Sequence, residues 1–221
     1  MDVSTTLRTT GAARAFTDEA VAHSTIHEIL DDARFAPSGG NRQPWRVAVV
    51  EDIAVRRRIG ALMQPVWDGY VARSKLGITP YNVVDDTEPD TVEHAPNPLI
   101  DDIAGVPVVL AVAADLGRIA VMDSAVGRVP MTGGASIYPF CWSILLAARA
   151  RGLGGVLTTF LSRAEPDAGP ELGLPPHHAL VATIFLGVPE HQPTRLRRAS
   201  VASFTTVDRF DGPAFGASSG T

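Results

Sequence analysis

Cysteine is almost absent from this 221-residue chain, which contains only Cys141. A single cysteine excludes an internal disulfide bond, and it also excludes a zinc site that is built from several cysteines. Because Cys141 lies in an apolar stretch with helical spacing, we expect it to be a small, buried hydrophobic side chain.

The chain also lacks an excess of basic residues and a long apolar run. Its formal net charge is −5 at pH 7, which argues against a broad nucleic-acid-binding surface. The longest apolar run, residues 106–114, has the length of a strand and is far shorter than the roughly 20 residues of a membrane span. The N-terminus has neither the basic nor the apolar region of a secretion signal. We therefore expect a cytoplasmic protein with no nucleic-acid or membrane partner.

Familiar catalytic motifs are missing as well. The sequence has no G-x-G-x-x-G after a strand, no P-loop, no H-E-x-x-H and no G-x-S-x-G. Among the six histidines, only His23 and His27 have a helical i,i+4 spacing, and we expect a surface position for them, with His23 before the helix begins. The sequence thus predicts no metal site and no catalytic side chain. If the chain is an enzyme, a bound cofactor must carry the reaction.

Periodic apolar residues predict three helices and four strands. The first helix begins at a capping box, Thr25-x-x-Glu28, and ends before Pro37. A second amphipathic helix is expected around residues 59–66, with a kink at Pro65, and a third is closed by Gly152 as a left-handed cap. The expected strands are 45–50, which we interpret as buried, 106–114, 153–159 and 179–186, with a further strand-like piece after residue 189.

These elements alternate without regular βαβ repetition, which indicates an α+β sandwich formed by a single domain over residues 1–221. Residues 77–98, called the excursion below, hold five carboxylates among prolines and few apolar residues. We interpret the excursion either as a wall or lid over a binding site, or as a solvated surface loop with no such role. A flexible tail is expected at 212–221.

A polar loop follows the first helix and reads A-P-S-G-G-N-R-Q-P-W-R over residues 36–46. Gly39 and the glycine after it allow backbone amides to approach a ligand closely. The side chains of Ser38, Asn41 and Gln43 offer both hydrogen-bond donors and acceptors. This surface suits a planar polar heterocycle. The alternative is a helix C-cap and turn in which Asn41 adopts the left-handed conformation.

Four segments, taken in order, match the pattern of one known family. The loop fits the pattern P-S-x-x-N-x-Q-P-W. Residues 9–21, T-T-G-A-A-R-A-F-T-D-E-A-V, are similar to a phosphate-binding segment, R-x-S-x-R-x-F followed by an acidic pair. The runs G-A-S-I-Y-P at 134–139 and G-L-G-G-V-L-T-T at 152–159 flank a helix. Together they resemble the FMN-dependent nitroreductase family, and the last two runs are similar to its actinobacterial branch.

This resemblance implies a three-layer α/β sandwich with a central mixed, mainly antiparallel sheet flanked by helices. It also implies a homodimer with FMN in two clefts at the subunit interface. The implied activity is electron transfer from NADH or NADPH to nitroaromatic, quinone or related acceptors by a ping-pong mechanism. Two alternatives stay open: an FMN-sequestering or storage protein without turnover, and a specialised relative such as a flavin-destroying oxygenase.

The resemblance also indicates where FMN binds. Arg14 is expected at the phosphate, Leu157–Thr159 at the reactive N5 edge, and the loop at the flavin, partly from the opposite protomer. The cofactor-binding residues expected in this way are Arg14, Ser38, Gly39, Asn41, Gln43, Leu157, Thr158, Thr159, Arg198, Arg197 and Arg8. Thr10 and Ala12 depart from the family pattern, which has Arg and Ser there, so two phosphate contacts are either missing or supplied by other groups, such as Arg8.

Overall fold

The computed structural model describes residues 1–216 and contains seven helices and four strands in that range. The helices are α1 (Val3–Thr9), α2 (His23–Ala33), α3 (Ile53–Lys75), α4 (Pro98–Asp101), α5 (Tyr138–Ala150), α6 (Phe160–Arg163) and α7 (Glu165–Glu171). The strands are β1 (Trp45–Val49), β2 (Val108–Asp115), β3 (Gly154–Thr158) and β4 (His178–Gly187). In this range no helix is both long enough and apolar enough to cross a membrane.

The four strands form one sheet in the order β1-β2-β4-β3, with every neighbouring pair antiparallel. A parallel contact occurs at an isolated bridge between Ala12 and Gly155. Strands β2 and β4 are central, whereas β1 and β3 form the two edges of the sheet. All four strands belong to this one sheet.

Helices cover both faces of the sheet. Successive residues of β2 point to opposite faces, so Leu110 and Val112 pack with α2 and α5, while Val109 and Ala111 pack with α3, α4, α6 and α7. Almost every side chain of β2 is buried, because it has a hydrophobic layer on each side. The predicted α+β, three-layer sandwich is therefore confirmed.

The third predicted helix ends as expected. Gly152 has a φ of 82°, in the left-handed region. The N–H of Leu153 donates to the carbonyl of Ala148 at 3.0 Å, and the N–H of Gly152 donates to that of Arg149 at 3.1 Å. This pair of bonds is the Schellman motif, which satisfies carbonyls at the helix end.

Two predictions about the first helix are wrong. Helix α2 begins at His23, so Thr25 lies inside the helix and is not its cap, and Ala22 at the N-cap makes no side-chain hydrogen bond. His23 is therefore the first helical residue instead of preceding the helix. Its exposed imidazole contacts the carboxylate of Glu51 at 2.5 Å. The first turn of α2 therefore has a polar side-chain contact but no capping box.

The prediction that the strand at 45–50 is buried is also wrong. Strand β1 pairs only with β2, and its residues Arg46, Ala48 and Val49 are exposed. A short apolar run has the same appearance in an edge strand and in a central strand, so the sequence could not distinguish them. Helix α3 is continuous across Pro65.

The C-terminal region contains turns where a further strand was expected. Between residue 189 and residue 216 there are isolated bridges and a short 3-10 turn but no strand. Thr206 bridges Ala214, and the N–H of Phe215 donates to the carbonyl of Thr205 at 2.8 Å. The part of the expected tail at 212–216 thus folds back on the chain, and 217–221 lies outside the described residues.

Candidate active site at the edge of strand β3

An N-terminal segment, residues 10–17, lies along the free edge of β3. The N–H of Ala13 donates to the carbonyl of Gly155 at 3.0 Å, and the N–H of Thr17 donates to that of Val188 at 2.9 Å. The segment is therefore held between β3 and the chain that follows β4.

Two glycines at the start of β3 permit this close packing. A Cβ atom added to Gly154 would lie 2.8 Å from the Cβ of Ala13, and one added to Gly155 would lie 2.5 Å from a methyl group of Leu186. Both distances are below normal contact, so a side chain here would displace its neighbours. Gly154 therefore lets the N-terminal segment pack against β3, and Gly155 lets Leu186 of β4 and Leu145 of α5 pack against the strand.

This segment presents Arg14 at the edge of the sheet. The guanidinium is exposed, and within residues 1–216 it has no ion-pair or hydrogen-bond partner. Arg14 lines three adjoining hollows, and the two with the greater volumes are called clefts below. An unpaired guanidinium beside an open cleft favours an anionic ligand, because it can form charge-assisted hydrogen bonds.

The two clefts share Arg14, Val156 and Leu157. The α5 cleft has a volume of about 380 Å³ and lies between the N-terminal segment and α5. The α3 cleft has a volume of about 480 Å³ and lies between β3 and α3. Further residues of the α5 cleft are Thr10, Gly11, Ala12, Tyr138, Trp142, Leu145 and Gly155. Further residues of the α3 cleft are Trp67, Tyr70, Pro96, Asn97, Pro98, Leu99, Thr158, Thr159 and Phe160.

Three aromatic rings form a wall of the α3 cleft that the sequence analysis did not identify. The rings of Trp67 and Tyr70 are stacked with centroids 5.7 Å apart and planes at 9°. Phe160 meets both edge-on, at 5.5 Å from Trp67 and 6.0 Å from Tyr70. The available signals were the i,i+3 spacing of Trp67 and Tyr70 and the position of Phe160 directly after Thr159.

The end of β3 is the second predicted feature at this site. Leu157 lines both clefts, and Thr158 and Thr159 line the α3 cleft. Thr158 pairs with Thr183 of β4, and the hydroxyls of both are buried without a hydrogen-bond partner among the described residues. The structure therefore brings Arg14 and Leu157–Thr159 together, as the resemblance implies.

The excursion packs against the C-terminal half of α3. Arg73 is almost fully buried, and it binds Asp86 at 2.7 Å and Glu88 at 2.6 Å. The side-chain hydrogen bond to Asp86 is the main reason that the pKa of Arg73 is raised. The ring of Tyr81 lies between the guanidinium groups of Arg73 and Arg163, at 4.3 Å and 4.0 Å. The last residues of the excursion line the α3 cleft, which supports the interpretation of the excursion as a wall.

The predicted flavin loop lies at the opposite edge of the sheet. Its polar groups bind one another: the N–H of Gln43 donates to the hydroxyl of Ser38 at 2.9 Å, and the Gln43 amide donates to the Asn41 side chain at 3.1 Å. Gly39 donates its N–H to Ser136 at 3.1 Å. Asn41 has a φ of 53°, so its backbone adopts the left-handed conformation that the turn alternative predicts.

The distance between this loop and Arg14 follows from the strand order. The loop precedes β1, whereas Arg14 lies beyond β3, and two strands separate these edges. Three strand spacings of about 4.8 Å give roughly 14 Å across the sheet alone. Neither cleft is lined by Ser38, Gly39, Asn41 or Gln43. Within one chain, the structure does not bring the loop and Arg14 into the same site.

The other predicted basic residues lie near the start of the N-terminal segment. Arg8 is in the last turn of α1, whose C-cap is Thr10. The Gln192 amide donates to the carbonyl of Gly11 at 3.0 Å and ties the chain before Arg197 and Arg198 to this segment. Both arginines are exposed, and Arg198 donates to the carbonyl of Arg197 at 2.7 Å.

The single cysteine and the possible metal ligands take no part in the clefts. Cys141 is fully buried in α5, as expected, and burial raises the pKa of its thiol to about 12. Within the described part of the chain, no group of three or more His, Cys, Asp and Glu side chains could hold a metal ion.

The clefts fit the FMN that the resemblance implies. Their volumes fall in the range of about 300–1,000 Å³ that is usual for cofactor and ligand pockets. A fused ring needs an open cleft bordered by backbone and apolar side chains, and a phosphate needs an unpaired cation. The edge of β3 offers both, through Leu157–Thr159 and Arg14.

Comparison with known proteins gives one family. The model described as "Nitroreductase family" matches residues 7–188. Nitrobenzene nitroreductase of Ectopseudomonas oleovorans is 27% identical over 90% of this chain and 94% of its own length. NADH dehydrogenase of Thermus thermophilus is 26% identical over 87% of this chain and 89% of its own length. The 5,6-dimethylbenzimidazole synthase of Rhodospirillum rubrum is 29% identical over 84% of this chain and 82% of its own length.

Solved structures share the fold at lower identity. A nitroreductase-like family protein from Bacillus cereus has a TM-score of 0.67 at 19% identity and covers 94% of this chain and 96% of its own. The NADPH:FMN oxidoreductase of Vibrio harveyi, complexed with NAD+, has a TM-score of 0.68 at 16% identity. The match covers 92% of this chain and 76% of that protein's chain. These similarities establish the arrangement of helices and strands that surrounds the clefts.

Proposed function

This chain belongs to the nitroreductase family, and we propose that it is an FMN-dependent oxidoreductase that passes electrons from NADH or NADPH to nitroaromatic, quinone or related acceptors. The names of its relatives, a nitrobenzene nitroreductase and an NADH dehydrogenase, support an oxidoreductase.

One observation carries the proposal: Arg14, which has no partner within residues 1–216, meets the end of an edge strand and two clefts at one place. FMN supplies two-electron redox chemistry when bound, so the protein needs no nucleophile or general base of its own. The task of the chain is to bind the ring, orient it and offer hydrogen-bond donors to the charge that develops on reduction.

Each predicted residue has a distinct role in this proposal. Arg14 binds the phosphate through charge-assisted hydrogen bonds, each of which contributes about 1.5–3 kcal/mol. Arg8, Arg197 and Arg198 are further candidates for the phosphate, because Thr10 and Ala12 cannot supply its usual Arg and Ser contacts. The backbone of Leu157–Thr159, which lines the clefts, would hold the reactive edge of a bound ring.

The position of the polar loop supports a homodimer. The loop and Arg14 lie at opposite edges of the sheet, so one chain cannot use both in a single site. In a twofold dimer, the loop of one protomer can lie beside the clefts of the other, and each site then contains residues of both chains. We propose that Ser38, Gly39, Asn41 and Gln43 contact FMN across such an interface.

The visible absorption spectrum of the purified protein tests this function. We expect a yellow protein that contains FMN or takes it up on reconstitution, and whose yellow absorbance bleaches within seconds when NADH or NADPH is added without oxygen. A protein that keeps its yellow absorbance indefinitely would support storage of FMN instead. A colourless protein that cannot be reconstituted would refute the flavin assignment.

A second function is favoured by one relative whose name describes a synthase, the 5,6-dimethylbenzimidazole synthase. A specialised relative of this kind, including a flavin-destroying oxygenase, differs from a reductase in its products. Aerobic turnover followed by analysis of the flavin distinguishes the two. Recovery of intact FMN after many turnovers supports the reductase, and stoichiometric loss of FMN supports the oxygenase.

A further inference from the structure

We propose that the aromatic wall of the α3 cleft is a subsite for one planar, electron-poor aromatic ring, and that Trp67 is its specificity-determining residue. This inference rests on the proposed function and adds the residues that select the electron acceptor. The wall consists of Trp67, Tyr70 and Phe160 and shares the α3 cleft with Arg14 and the end of β3.

The ring of Trp67 is held in place before a ligand arrives. Its indole N–H donates to the carbonyl of Pro96 at 3.3 Å, so its polar atom is already used. Tyr70 stacks on one of its faces and Phe160 meets it edge-on. The wall therefore offers ring surfaces and no free donor from the indole. A fixed aromatic surface binds a flat ring with little loss of side-chain entropy.

Hydrogen bonds also hold the end of the excursion against α3, next to Trp67. The Gln64 amide donates to the carbonyl of Ala95 at 2.9 Å and to the carboxylate of Asp68 at 2.7 Å. The same carboxylate accepts the N–H of Ala95 at 2.9 Å. These bonds fix the end of the excursion to α3 one turn from Trp67. These hydrogen bonds therefore hold the end of the excursion at a fixed distance from α3, and the excursion forms one side of the α3 cleft.

Charge and ring electronics define the ligand. The faces of aromatic rings carry partial negative charge, so an electron-poor ring stacks on the wall more favourably than an electron-rich one. The nicotinamide ring of the electron donor, NADH or NADPH, is a dihydropyridine, which is electron-rich and not aromatic. A nitroarene or a quinone is planar and electron-poor, so it meets this condition. We therefore assign the subsite to the acceptor.

Binding of nitrobenzene to the oxidised protein tests the subsite without turnover. In Trp67→Leu, which removes the ring but keeps an apolar side chain, we expect the Kd for nitrobenzene to rise about tenfold in equilibrium dialysis. In Trp67→Phe, which keeps an aromatic ring, the Kd should stay within about threefold of wild type. Phe210→Leu is the matched control, because Phe210 is fully exposed and lies outside both clefts. It should leave the Kd unchanged.

Kinetics provide the second readout. With ferricyanide as a small acceptor that has no ring, Trp67→Leu should lower the ratio of kcat/KM for nitrobenzene to kcat/KM for ferricyanide about tenfold. Equal Kd values and an unchanged ratio in Trp67→Leu would overturn the subsite. If nicotinamide mononucleotide shows the Trp67 dependence and nitrobenzene does not, the assignment to the acceptor is overturned.

Failure of the proposed function has a different signature. A protein without FMN or without turnover on either acceptor would refute the oxidoreductase, and the dialysis experiment would still measure nitrobenzene binding. Retained far-ultraviolet circular dichroism and FMN content in Trp67→Leu show that a weaker Kd does not reflect unfolding.

Discussion

The two edges of the sheet have opposite properties. At the edge of β3, Arg14 has no partner among the described residues and two clefts open beside it. At the edge of β1, the loop's polar groups bind one another, with Gln43 donating to both Ser38 and Asn41. The first edge has unused binding capacity, and the second is a compact, internally bonded turn. The two segments that resemble the family's flavin motifs therefore lie at opposite edges of one sheet, and neither cleft beside Arg14 is lined by the loop.

The largest effect is expected from adding a side chain at Gly154, where β3 packs closely against the N-terminal segment. Gly154→Ala places a Cβ 2.8 Å from both Ala13 and Pro189, so the N-terminal segment must move. We expect a loss of about 1–3 kcal/mol in the free energy of unfolding and loss of FMN binding. Gly39→Ala at the other edge is the control for stability, since its nearest new contact is at 3.4 Å. Equal urea midpoints in the two variants would contradict this account.

Removing the unpaired cation should affect binding more than folding. Arg14→Ala should weaken FMN binding by about 1.5–3 kcal/mol, since one charge-assisted hydrogen-bonded group is lost. The matched control is Arg57→Ala, an exposed arginine on α3 that lines neither cleft and lies outside the loop. FMN affinity is measured by flavin retention during dialysis and by titration of the apoprotein. Unchanged flavin content in Arg14→Ala would remove Arg14 from the phosphate site.

Mixing two defective variants tests whether the edges cooperate across a dimer. Asn41→Leu should impair FMN binding or shift the reduction potential of the flavin while leaving the fold intact. In a heterodimer of Arg14→Ala and Asn41→Leu chains, one of the two sites receives both wild-type residues. Random exchange of subunits should therefore restore about a quarter of all sites. No restoration, together with proven exchange of subunits, would show that the site lies within one chain.

The smallest effect concerns Asp123, a buried carboxylate between β2 and α5 in the chain. Asp123 accepts the N–H of Met131 and the hydroxyl of Thr132, and it binds Arg128, which together hold its pKa well below the usual value. Such a group stabilises the fold fully above its unfolded pKa of about 3.9, and this contribution is lost as the pH falls towards the folded pKa.

Asp123→Asn should therefore lower the urea midpoint at pH 7, and the difference from wild type should shrink as the pH falls below about 4. Asp211→Asn serves as the control, because its carboxylate is exposed and pairs only with Arg209 among the described residues. A difference that stays constant down to pH 2 would show that the charge of Asp123 is not responsible.

Much of the fold could be predicted from the sequence, because each element carries its own pattern. The helical spacing of Ile59 and Met63 predicted α3, and the long apolar run at 106–114 predicted the strand with two buried faces. The start of α2 was predicted wrongly, since Thr25 and Glu28 satisfy a capping pattern equally well inside a helix. The exposure of β1 was missed because burial depends on neighbours that a local pattern does not specify.

The candidate site was predicted in part. Arg14 and Leu157–Thr159 were identified through the resemblance, and the structure brings them together. The aromatic wall was missed because Trp67 and Phe160 are 93 positions apart in the numbering, and no periodic pattern connects two separate elements. The use of the excursion as a cleft wall depends in the same way on contacts made by Arg73 and Tyr81.

The sequence by itself determined the local elements, the glycine-capped end of α5 and the polar groups available at each edge. These properties follow from the spacing of side chains along one stretch of chain and from the conformational freedom of glycine. Only the tertiary structure decided that β1 and β3 lie at opposite edges, and that Phe160 meets the rings of Trp67 and Tyr70 in a cleft that Arg14 also lines. Strand order and cleft walls depend on the free energy of packing between remote segments, which no local spacing encodes.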